Sequence, residues 1–184
     1  MPLNELPKSQ PTASGSAAVG RLAMRFGVGA GIVCGLWLLF LHFTNNEPFS
    51  PKQIMGLLVV PFAAAGSQWL LRREAAPARP GIGRSLAVGG LTVLLAAVMA
   101  AGSAWGLAQV LGDKALAYSR AELVEITRVQ QNLRPKEKRN ARFEQQELAQ
   151  AQALSTTDLA RATFTWTLLL GMLGAVPAGI FLRK

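Results

Sequence analysis

The chain has 184 residues, of which 51% are hydrophobic and only 16% charged, and a net charge of +9. Soluble domains carry nearer a quarter charged residues, so this balance argues against an ordinary soluble fold. A pI of about 10.9 raises the question of nucleic acid, and the answer depends on where the charges lie.

They are segregated. Four segments contain no Asp, Glu, Lys or Arg: residues 26–46, 53–71, 85–112 and 162–182. Each is about the ~20 apolar residues needed to cross a bilayer core. Backbone groups in lipid must pair internally, so each span is expected to be helical. The ten-residue alternation of a membrane barrel is absent. The expected fold is all-α: a bundle of four transmembrane helices, with an extramembrane helical hairpin between spans 3 and 4.

In chain order, residues 1–20 are polar and rich in Pro, Ser and Ala, and read as a disordered tail. No cleavage site follows the first apolar segment, which is expected to stay as an anchor. Span 1 contains the lone cysteine, Cys34, so no intrachain disulfide is expected. Before span 2, Ser50, Pro51 and Gln53 have the spacing of a helix start with a capping box. Residues 73–84 hold prolines and glycines that separate spans 2 and 3. The polar insert 113–161 reads as two amphipathic helices broken at Pro135. Ser155 and Asp158 make a second capping box that starts the helix of span 4.

The insert contains the run RPKEKRNAR, five basic residues in nine positions. Across the insert nine basic residues meet seven acidic ones, a net of +2. That is a solvated helical surface. No aromatic interleaving accompanies the charge, so no nucleic-acid partner is expected.

Four spans place both termini on one side. That side carries nine basic residues, most close to the membrane, against ten on the other. Five of those ten cluster at 134–142, far from either span. The positive-inside rule therefore puts both termini in the cytoplasm and the hairpin outside.

Small residues recur at helical spacing within the spans: Gly27, Gly31 and Gly35; Gly102 and Gly106; Gly171, Ala175 and Gly179. Such stripes let helices approach closely, within the bundle or between copies. Pro61 and Pro177 are expected to kink spans 2 and 4. Gln68 is expected to bond across helices or to sit near the interface. His42 is the one histidine, near the end of span 1, and reads as interfacial rather than as a metal ligand. Glu47, Asp113 and Asp158 sit at loop or helix-start positions where capping accounts for them.

Signatures of phosphate loops, zinc proteases and serine hydrolases are absent, and no catalytic residue, metal or cofactor is expected. The leading expectation is a non-enzymatic integral membrane protein that docks a partner or a second copy through the insert. Leu116, Leu123, Phe143 and Leu148 are the candidate docking residues. The alternative is a small channel or transporter subunit; its case is weakened by spans without ionisable groups other than His42. Membrane lipid is the remaining expected partner.

The order of three spans, a polar helical insert and a fourth span resembles a family of small four-span membrane proteins of Bacteroidetes known as a domain of unknown function. The ending TTDLARATFTWTLLLGMLGAVPAGIFLRK, which runs from a polar helix start through Gly171 to Arg183 and Lys184, carries the same resemblance. So do Tyr118 and the acidic residues after span 3. The likeness covers residues 20–184. It implies a bacterial inner-membrane location and brings no activity, ligand or catalytic residue with it.

Overall fold

The computed structural model describes residues 13–76, 81–135 and 140–182. The described residues form helices α1 (Ala13–Phe43), α2 (Gln53–Leu57), α3 (Val59–Ala75), α4 (Ile82–Leu111), α5 (Asp113–Leu133), α6 (Ala141–Gln152) and α7 (Thr156–Phe181). Four stretches are long and apolar enough to cross a bilayer: Ser16–Phe43, Gln53–Ala75, Ile82–Leu111 and Thr156–Phe181. Their outward faces carry large apolar side chains, among them Leu36, Phe62, Val98, Leu173 and Ile180. Water would not tolerate so much contiguous apolar surface, and lipid would. Four such helices are compatible with a multi-pass membrane protein.

α3 and α4 pack on each other, and each also packs on both α1 and α7. The core between them is built from small side chains. Val60, Ala64, Ala96, Ala97 and Ala100 are fully buried. Alanine allows backbones to approach, so dispersion contacts hold the helices where burial from water cannot.

The chain stops and turns where local chemistry demands it. Arg134 is extended (φ −70°, ψ 136°), as the residue before Pro135 must be, and α5 ends there. α4 and α5 are separated by Gly112, whose φ of 60° with ψ −145° suits only a residue without Cβ. Pro61 cannot donate to Leu57, and the helix of span 2 is interrupted at Leu58. Pro177, by contrast, lies inside an unbroken α7.

Two expectations require correction. The stretch 1–20 is not wholly a tail, because α1 begins at Ala13 and Val19 is buried with Leu22, Ala23, Leu71 and Val88. The tail residues 1–12 lie outside the described residues. The capping box at Ser50 does not form. The Ser50 hydroxyl donates instead to the Glu47 carbonyl at 2.8 Å. The Gln53 amide donates to Thr163 Oγ1 on α7 at 2.8 Å, so a tertiary bond has taken the side chain from its local role. The box at the start of α7 does form, with Ser155 and Asp158 each bonded to the other's backbone N–H. Asn140 caps α6 by accepting from the Arg142 N–H at 3.1 Å.

Candidate functional site

The glycines divide into two groups. A Cβ at Gly27 would lie 2.8 Å from the Thr92 carbonyl oxygen, and one at Gly35 would lie 2.8 Å from Ser103 Oγ. A Cβ at Gly31 would overlap Met99. These three form the seam between α1 and α4. On α7, Gly171 faces Val93 and Val60, Gly179 faces Leu86, and Ala175 is buried beside Gly89. Gly102 and Gly106 differ: a Cβ at either would meet nothing within 4 Å. Gly102 is exposed, and Gly106 borders an open gap between α1 and α4. Spacing alone does not reveal Gly174, whose added Cβ would strike Pro61.

The polar groups of the spans pair across helices. Gln68 is 1% exposed, and its Nε2 donates to the Ala175 carbonyl at 2.8 Å. The Ser67 and Thr92 hydroxyls stand 3.1 Å apart between α3 and α4. Gln68 Oε1 is buried and has no hydrogen-bond partner among the described residues.

The hairpin is fixed to the bundle at its base. Leu116 is 7% exposed and packs with Ala108 and Leu159, so it belongs to the core and not to a free docking surface. Arg120 donates from Nε and Nη2 to the Leu154 carbonyl, at 3.0 and 2.8 Å. At the tip, Arg134 grips Glu147 with two bonds of 3.0 and 2.6 Å. This guanidinium and then the Gln131 amide hold the Glu147 carboxyl below its usual range. The same pairing raises the Arg134 pKa. The Arg134 guanidinium also covers the Phe143 ring, 5.5 Å from its centroid. Leu148 is half-buried and Leu123 is exposed at the mouth of a cavity.

That cavity is the candidate site. α3 and α7 meet tightly where Pro61 and Val60 lie against Gly174 and Gly171. Toward α2 the two spans diverge, and α5 crosses above the gap. The resulting wedge has a volume of about 420 Å³. Phe49, Ile54, Leu57, Ile126 and Trp166 supply its apolar walls. Ser119, Glu122, Asp158 and Thr163 also line it. Asp158 is occupied by Ser155 and lies 3.8 Å from the Arg161 guanidinium. Glu122 has no hydrogen-bond or ion-pair partner among the described residues. Hydrophobic periodicity could have pointed to the α5 wall. The wedge itself depends on where α2 and α7 separate, which no local pattern encodes.

Elsewhere, His42 and Glu47 line a shallow polar pocket with Asn45, Asn46 and Lys114. Asp113 is not part of it. Among the described residues no three His, Cys, Asp or Glu side chains stand together as a metal site would require.

Comparison with curated proteins and with solved structures gives no match. A family model matches residues 25–184, which includes all four apolar helices from Arg25 onward and the whole hairpin. The chain therefore belongs to the family described as protein of unknown function DUF4199.

Proposed function

We propose that the chain is a non-enzymatic protein of a bacterial inner membrane, of Bacteroidetes origin, with both termini cytoplasmic. Its outward hairpin docks a membrane-protein partner. The observation that carries this reading is the free edge of the hairpin. Val129 and Leu133 stand one turn apart on α5, and Leu133 is 79% exposed. Phe143 of α6 is exposed near the same end. Arg128, Arg142 and Glu125, all exposed, rim the edge with charge. An apolar centre with a charged rim is the anatomy of an interface. The hairpin's ties to the bundle hold that edge ready, which lowers the ordering cost of binding.

The channel reading draws no comparable support. The middle of the bundle is filled by fully buried Val60, Ala64, Ala96 and Ala100.

The test is purification from native membranes in mild detergent, with the stoichiometry of what accompanies the chain. A stoichiometric partner that is lost from the Val129→Ser, Leu133→Ser double variant supports docking. Purification of the chain alone, or a partner indifferent to the double variant, overturns it.

A further inference from the structure

We infer that the wedge between α2 and α7 is a binding site for one membrane lipid, with an acyl chain along the apolar walls and an ammonium-bearing headgroup at Glu122. This inference is independent of the docking reading, which concerns the opposite end of the hairpin.

Three observations converge. The first is size: about 420 Å³ falls within the ~300–1,000 Å³ range of ligand sites. The second is access. Ile54, Ala162 and Trp166 line the wedge and are exposed on the outward faces of two membrane helices. A chain in the surrounding lipid reaches the site sideways, without crossing water. Gln53 Nε2 donates to Thr163 Oγ1, whose own proton goes to the Leu159 carbonyl, so these two wall groups are engaged with the protein.

The third is charge. The charged side chains lining the wedge are carboxylates, Glu122 and Asp158. Asp158 is committed to the Ser155 cap and neighbours Arg161. Glu122 is half-buried and makes no ion pair among the described residues. A lipid whose headgroup ends in an ammonium supplies that cation. A purely anionic headgroup would be repelled by both carboxylates. Glu122 lies on α5, at the extramembrane end of the wedge, where a headgroup belongs.

The experiment places the full-length protein in liposomes of equal parts phosphatidylethanolamine and phosphatidylglycerol. One of the two lipids carries a photoreactive acyl chain, and crosslinked peptides are mapped by mass spectrometry. With labelled phosphatidylethanolamine, crosslinks should concentrate at Ile54–Leu57, Leu123–Ile126 and Ala162–Trp166. Capture from phosphatidylethanolamine should exceed that from phosphatidylglycerol by about five-fold, the factor one headgroup charge contact carries. Glu122→Gln should erase this preference, and Ala162→Trp should reduce capture of both lipids. Glu122 is a hairpin side chain without structural partners, so its variant keeps the test valid if Ala162→Trp fails to fold. Crosslinks spread evenly over outward residues such as Phe62, Leu173 and Phe181 would overturn the site. Equal capture of the two lipids, a preference for phosphatidylglycerol, or a preference unchanged by Glu122→Gln would overturn the headgroup assignment.

Discussion

Replacing Gly174 with alanine adds one methyl group where α7 crosses Pro61. The new Cβ would overlap the Pro61 Cβ and lie 2.7 Å from its Cα. Neither atom can move aside, because one is backbone and the other belongs to a closed ring. The helices must separate, and overpacking of this kind costs about 1–3 kcal/mol. Alanine also favours a helix over glycine by about 0.5–1 kcal/mol, which partly hides the cost. Gly102→Ala is the control. It carries the same backbone gain and meets nothing within 4 Å. The difference between the two variants therefore isolates packing. At about 2–4 °C per kcal/mol for a chain of this size, that packing cost should make Gly174→Ala melt about 2–12 °C below Gly102→Ala. Melting in detergent, followed by circular dichroism, reads the gap. Equal melting temperatures would refute the seam between Pro61 and Gly174 and the wedge geometry that follows from it.

Other outcomes follow from the hairpin and its anchoring. Leu116→Ala should cost about 2–5 kcal/mol, as truncation in a core does, while Leu133→Ala should change stability by less than about 0.5 kcal/mol; detergent melts of the two variants compare them. Glu147 titrates below its usual value of 4.5, so the Arg134 grip adds stability above that pH and loses it as pH falls through the lowered value. Spin labels at Asn132 and Gln146 should report a closed hairpin tip from pH 8 to about pH 5, and opening only in stronger acid; opening between pH 8 and 6 would contradict this. In a Cys34→Ala background, Leu133→Cys should react with a membrane-impermeant maleimide in intact cells, and no reaction until the cells are broken would reverse the proposed orientation.

Much of this architecture was legible in the sequence because lipid imposes simple demands. Charge-free runs of about twenty residues located all four apolar helices, and Pro135 located the break in the hairpin. The Ser155–Asp158 box formed because both partners lie within one turn and nothing competes for them. Ser50 and Gln53 had the same spacing, yet Thr163, 110 residues away, took the Gln53 amide. Tertiary partners of that kind leave no local trace. The glycine stripes show the same limit. Gly31 and Gly102 share a spacing pattern, but only the rotation of each helix decides which meets a neighbour. Leu116 and Leu123 likewise share one amphipathic helix, and the turn at Gly112 decides that Leu116 enters the core. The start of α1 leaves little mark in the sequence because residues 13–20 are small, Ala, Ser and Gly with one Val, and the helix is held by packing of Val19 and Leu22 against Leu71 and Val88.

The docking reading is tested most directly by crosslinking from the hairpin edge in native membranes. A photoreactive amino acid at Leu133 samples the most exposed apolar position of α5, and one at Lys114, on the same helix near its base, serves as control. The account predicts a discrete adduct of one added mass from Leu133 and none from Lys114. No adduct from Leu133, or the same adducts from both positions, would contradict it.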